Sequence, residues 1–194
     1  MLTTLKRLWR PRSIPVAVPP TAVGKEVAPL AAGTAGDIEA FLGAARRADD
    51  QGHSPWVLRD ESRIETLRHV LTHTVSRGVW LQRENERVAH WQGQLLTLRH
   101  GDGAPLGMAL VCRPSEEVAW QLRFFFIEPQ WQGSGHGARL LAETRRTLRG
   151  MPVHARLPMA CHAAVSSLVQ AGFQRMYIDA TGIATFQAPA EWHD

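Results

Sequence analysis

Residues 127–141, reading IEPQWQGSGHGARLL, constrain this chain more than any other stretch. An apolar run over residues 120–127 precedes them and is long enough for a buried strand. Behind them Leu140, Leu141, Thr144 and Leu148 recur at helical spacing. Gly133, Gly135 and Gly137 fall at the junction. Glycine allows a positive φ and lets a ligand approach the backbone, because no Cβ stands in the way. A helix N-terminus adds unpaired N–H groups and a partial positive charge. A strand, a glycine turn and a helix in this order make a site for phosphate or pyrophosphate.

Two common phosphate-binding designs do not fit. A P-loop needs a lysine after its second glycine, and this stretch has none. A dinucleotide fingerprint needs Gly-x-Gly-x-x-Gly, whereas the spacing here is Gly-x-Gly-x-Gly. The order Gln132-x-x-Gly135-x-Gly137 resembles motif A of the GNAT (N-acetyltransferase) superfamily, Arg/Gln-x-x-Gly-x-Gly/Ala. In that family the loop binds the pyrophosphate of acetyl-CoA. The resemblance implies an α+β fold with a central mixed, mostly antiparallel sheet of about six to seven strands, flanked by about four helices.

A chain of 194 residues with 44% hydrophobic content supports one domain with a full core, here residues 23–194. No apolar run is long enough for a transmembrane helix. Cys112 and Cys161 do not make a disulfide framework; they fit a reducing compartment, so a cytoplasmic location is expected. The formal charge of +4 is carried almost wholly by arginine, with Lys6 and Lys25 the only lysines. That balance suits an anionic ligand and is too mild to argue for nucleic acid. Residues 1–22 read as a basic, proline-rich arm. Lys6, Arg7, Arg10 and Arg12 alternate with Leu2, Leu5, Leu8 and Trp9, as in a short helix that docks on a membrane surface or a partner. Pro11, Pro15, Pro19 and Pro20 forbid its continuation, and a flexible arm is the expectation. A homodimer is left open.

Taken in order, residues 27–31 suggest a first strand. Asp37 reads as the N-cap of a helix whose inner face is Ile38, Phe41, Leu42 and Ala45. A second helix is predicted over residues 61–76, with Ile64, Leu67, Val70, Leu71 and Val75 on one side and Gly78 ending it. Residues 79–81 look like a strand, while 84–91 fit a helix or a hairpin equally well. Three antiparallel strands then follow over 94–100, 106–112 and 117–127, with a turn at Gly101-Asp102-Gly103. Residues 138–149 form the helix behind the glycines. A strand over 152–157, a helix over 160–171 and two strands over 173–178 and 183–186 complete the order. This order matches the GNAT order, most specifically from residue 94 to residue 186. The resemblance also implies that the first two helices flank the acceptor cleft, with His69, His73 and Trp80 near it.

Acetyl transfer to an amine requires that the thioester be held, its carbonyl polarised, the amine deprotonated and the leaving thiolate stabilised. The resemblance implies that the strand before the loop splays from its neighbour, so that backbone groups of Phe125, Phe126 and Ile127 bind the pantetheine arm. It implies that the pyrophosphate meets the backbone of Gln132, Gly133, Ser134, Gly135, His136, Gly137 and Ala138, with the Gln132 side chain adding a hydrogen bond and Arg139 supplying charge. It also marks two departures. The family pattern Asn-x-x-Ala-x-x-x-Tyr-x-x-x-Gly-Phe is met by Ala164, Gly172 and Phe173, but Cys161 replaces the asparagine and Leu168 the tyrosine. That tyrosine protonates the leaving thiolate in many members, and leucine cannot. The only tyrosine, Tyr177, is therefore a candidate acid, and Ser166 or Ser167 a candidate to hold a water.

Alternation along the strand puts Gln121, Arg123, Phe125 and Ile127 on one face. Trp120, Leu122, Phe124, Phe126 and Glu128 take the other. Glu128, His100 and His90 are candidate bases. His69 and His73 are spaced i,i+4 but lack a nearby carboxylate or cysteine, and no metal is expected. The function that follows is acyl-CoA-dependent transfer of an acetyl or other short acyl group to an amine, on a small molecule or a protein. The rival is a catalytically weak acyl-CoA-binding or partner-binding module.

Overall fold

The computed structural model describes residues 29–148 and 150–190. The N-terminal arm lies outside the described residues, as do residues 27 and 28 of the strand expected over 27–31, and residues 29 and 30 are not strand. What remains of that strand is β1, Ala31–Ala32. Asp37 does not cap α1 (Ile38–Asp50) with its side chain. It closes a 3-10 turn, Ala35–Asp37, and its carboxylate turns back to accept from the Thr34 N–H (2.7 Å) and hydroxyl (2.9 Å). Arg99 pairs with the same oxygen at 2.6 Å, which accounts for a buried aspartate. α2 (Glu61–Arg77) starts at Asp60, whose side chain accepts from the Arg63 N–H, and ends at Gly78 with φ 69°. Only glycine takes that left-handed conformation without strain.

Residues 84–91 form a hairpin rather than a helix. β2 (Val79–Glu84) turns through Asn85, φ 55°, into β3 (Arg87–Arg99). Asparagine tolerates this region because its short side chain bonds locally. β4 (Pro105–Arg113) and β5 (Trp120–Ile127) follow antiparallel. α3 (His136–Thr147), β6 (Val153–Pro158), α4 (His162–Gln170), β7 (Gln174–Ile178) and β8 (Ile183–Ala188) complete the described chain. The sheet has eight strands in the order β1-β3-β4-β5-β6-β8-β7, with β2 paired to β3. Each of the eight corresponds to a strand read along the sequence, and residues 87–91 extend the third of them. Every pairing is antiparallel except β5 with β6.

The strict alternation expected for β5 fails at one residue. Leu110 faces Phe124 and the next residue, Val111, faces Leu122, so Arg123 is the extra residue of a β-bulge. The phase of the strand changes there. Trp120 and Leu122 pack with Phe125 and Ile127 in one cluster, together with Leu140, Leu141 and Leu168 of α3 and α4. Phe124 and Phe126 pack in the other cluster, with Ile38, Phe41, Leu67 and Leu71 of α1 and α2. Phe41 is fully buried and meets Phe124 edge to face at 5.4 Å. Burying such a ring contributes roughly 1.5–3 kcal/mol, so the bulge is held from both sides by packing.

Candidate functional site

The site begins where the sheet stops. β5 and β6 pair only at Trp120↔Val153, Gln121↔His154 and Leu122↔Ala155. Beyond these registers the two strands part, leaving residues 123–127 with β4 on one edge and no strand on the other. The gap is a cleft of about 1090 Å³. Residues 122–127 form one wall; residues 155–158 and the start of α4 form the other. Residues 51–55, in the loop between α1 and α2, line it as well.

The glycine loop lies at the end of the β5 wall. A 3-10 turn, Pro129–Trp131, leads to Gly133 and Gly135, both at φ 79°. A Cβ at either would meet nothing within 4 Å, so the backbone there is open to the cleft side. Gly135 is the N-cap of α3 and supplies no side-chain cap, so the first N–H groups of the helix keep their usual need for an acceptor. Gly137 is different: a Cβ there would come within 2.5 Å of Ser167 Oγ, so glycine lets α3 lie close to α4. Gln132 Nε2 donates to the Ile127 carbonyl at 2.9 Å and fastens the loop to the strand end.

No protein-family model matches the sequence, and no curated protein does. Solved structures do match. A phosphinothricin acetyltransferase of the GNAT superfamily from Sinorhizobium meliloti, in complex with AcCoA, aligns over 84% of this chain and 88% of its own at 16% identity, TM-score 0.61. Spermidine N-acetyltransferase from Vibrio cholerae, with CoA and spermine, covers 81% and 91% at 11% identity, TM-score 0.58. Ribosomal-protein-alanine N-acetyltransferase from Brucella melitensis covers 82% and 98% at 17% identity, TM-score 0.57. The fold is that of the GNAT acetyltransferases.

Within this GNAT fold the sequence-predicted residues separate into two groups. Phe125, Phe126, Ile127, Gln132, Gly133, Gly135, His136, Gly137 and Ala138 all line the cleft. Ser134 and Arg139 are exposed and do not. None of the four candidate acid–base residues lines it either, and His90 is exposed on β3. Glu128 pairs with Arg47 at 3.2 Å beyond the strand end. His100 is buried, stacked on Trp131 at 5.2 Å, with Nδ1 3.0 Å from Asp102. The Ala104 N–H, and then His100, hold the Asp102 carboxyl below its usual range. Tyr177 is exposed on β7, at the sheet edge. His69 and His73 stack on each other along α2 at 6.2 Å, away from the cleft. The described residues hold no group of three potential metal ligands.

Leu168 also departs from its expected place. It is fully buried among the α3 and α4 core residues, and the cleft face of α4 carries Ser166, Ser167 and Gln170 instead. Cys161 does line the cleft, and partial burial pushes its thiol up from the ordinary cysteine value.

Three features of the cleft were not anticipated from the sequence. His53 and Ser54 line it from the α1–α2 loop. No aspartate or glutamate is among the described lining residues. Arg123, put out of phase by the bulge, lines the cleft and also a second hollow of about 470 Å³ beneath α2 and β2. Its guanidinium has only long contacts, to Gln121 Oε1 (3.4 Å) and Gln82 Oε1 (3.5 Å), and lies over the Trp91 ring at 5.9 Å. A bulge leaves no mark in composition or periodicity, and only the broken alternation of buried residues hints at it.

Proposed function

We propose that the protein transfers an acetyl or other short acyl group from acyl-CoA to an amine. The observation that carries this reading is the splayed β5–β6 edge lying directly beside an open glycine loop at a helix N-terminus. An unpaired strand edge suits an extended chain bearing amides, and a side-chain-free helix start suits a pyrophosphate. A lining without carboxylates suits a polyanion. Phe125, Phe126 and Ile127 would offer main-chain groups to the pantetheine arm. Residues 132–138 would offer N–H groups to the pyrophosphate. Acyl-CoA brings an activated thioester carbonyl, and this chain holds it between β5 and β6 with the acceptor entering past the α1–α2 loop. With no lining carboxylate, the amine's proton goes to the imidazole of His53 or to water.

A ligand that binds only the native state stabilises it by about 2.7 kcal/mol at one hundred times its dissociation constant. For a chain of this size that is a rise in Tm of about 5–10 °C. Acetyl-CoA is expected to produce that rise. Gly135→Glu, which puts a negative charge where the space is open, is expected to remove it; Gly135→Asn, which tolerates a left-handed backbone, is expected to keep most of it. A folded Gly135→Glu protein with an undiminished rise would place the pyrophosphate elsewhere. A rise with no thiol release from any amine would favour the acyl-CoA-binding module over the enzyme.

A further inference from the structure

Arg123 brings a full positive charge to the inner end of the cleft, and no described carboxylate lies within ion-pair distance of it. Its Nε is buried without a hydrogen-bond partner, and its two other contacts are long. Its two outer nitrogens, held only at the limit of hydrogen-bond distance, are the donors that a stronger acceptor would take over. It also stands between two spaces of different character. On one side is the carboxylate-free cleft with the splayed strands. On the other is the hollow lined by Trp56, Leu67, Val70 and Trp80. Pro55 and Arg123 line both.

Resting on the acyl-transfer reading above, we infer that the acceptor is an α-amino acid with a large apolar or aromatic side chain, its carboxylate bound by Arg123. The three substituents of its α-carbon then have three destinations. The amine points into the cleft toward the thioester, the carboxylate meets the guanidinium, and the side chain fills the hollow. A polyamine would find the opposite of what it needs, because neither space offers it a lining carboxylate among the described residues. In the reaction the acceptor's ammonium first gives up one proton. Its nitrogen lone pair then forms a C–N bond to the carbonyl carbon, and the C–S bond breaks with its electron pair on sulfur. The second amine proton balances the thiolate, giving an N-acyl amino acid and free CoA thiol. Arg123 is the specificity-determining residue in this scheme, because it touches the acceptor and takes no proton.

The test measures acetyl-CoA-dependent thiol release with L-tryptophan, L-tryptophanamide, tryptamine and spermidine, alongside the acetyl-CoA thermal shift. Tryptophan is expected to exceed the other three in kcat/KM by at least about tenfold, the least that a charge-assisted pair to a half-buried guanidinium gives. Arg123→Gln is expected to bring tryptophan and its amide to within about twofold of each other, and Arg123→Lys to keep part of the preference. If the wild type shows no acetyl-CoA shift, the acyl-transfer reading fails and takes this inference with it. If the shift is present, three results overturn the inference alone: no release with tryptophan, equal or better release with the amide or spermidine, or a preference that survives in Arg123→Gln. The wild-type panel decides the matter even if both variants fold poorly.

Discussion

Leu168→Tyr separates what the family pattern implies from what the packing implies. By pattern, the substitution restores a missing proton donor and turnover rises. By packing, Leu168 has no exposed surface and sits in the cluster with Leu140, Leu141, Ala171 and Phe173. A tyrosine there adds ring volume to a filled space, which costs about 1–3 kcal/mol. It also buries a phenol hydroxyl among aliphatic neighbours, which costs about 1–3 kcal/mol more without a partner. Together these are a large share of a typical stability of about 5–15 kcal/mol. At about 2–4 °C per kcal/mol the variant should melt about 5–20 °C below wild type. A thermal melt followed by CD gives the first number. Thiol release per folded molecule, measured well below both midpoints, gives the second and should show no gain. A variant that melts with the wild type and turns over faster would refute the reasoning, because its tyrosine could then only be facing the cleft.

Cys161 should react slowly with iodoacetamide at neutral pH and faster as pH climbs past the ordinary cysteine range, because burial favours its protonated form. Acetyl-CoA should slow the reaction further, since the thiol lines the cleft; equal rates with and without it would remove the cofactor from that wall. Asp179 accepts from the Thr181 hydroxyl (2.6 Å) and the Ile183 N–H (3.0 Å), and pairs with Arg156, which holds its carboxyl below the usual 3.8. A depressed folded value means stability that is complete above the unfolded value and lost as pH falls through the folded one. Asp179→Ala should therefore lower Tm at pH 7, and the gap from wild type should close under acid; a gap independent of pH would rule out this linkage.

Helices α1 and α2 were legible because their apolar residues recur at one spacing, and Gly78 marked the end of α2. The glycine loop was legible because only glycine meets its backbone conditions at 133 and 135. Asp37 does stand at the N-cap position of α1 as read, but an aspartate there looks the same in sequence whether its side chain caps that helix or closes the turn before it, as it does here. The hairpin at Asn85 was ambiguous because its arms are mostly exposed and polar, so neither period stands out. Leu168 is instructive: Ala164, Val165, Leu168 and Ala171 recur at i, i+1, i+4 and i+7 on one helical face, with Ser166 and Gln170 on the other, and that period alone would have turned the leucine inward. A family pattern says which residue type is expected at a position, and helix phase says where the side chain goes. Arg123 needed the structure, since its place depends on one residue's slip against β4.

The three registers between β5 and β6 also set the mechanics of the molecule. Among the described residues they are the only strand pairing that joins the β1–β5 part of the sheet to the β6–β8 part, whereas β3 and β4 share eight registers and β6 and β8 share six. One core spans the seam, packing Leu96, Leu98, Ala109 and Val111 of the first part with Val153, Ala155 and Phe186 of the second under α3 and α4, whereas the core under α1 and α2 holds described residues of the first part alone, so the seam is bridged on one face and not on the other. Force drawn across the sheet would concentrate on Trp120, Gln121 and Leu122, and the tear would start from the open end of the cleft. Anything lodged along that edge works as a stitch, and resistance to pulling should track how much of the seam it spans.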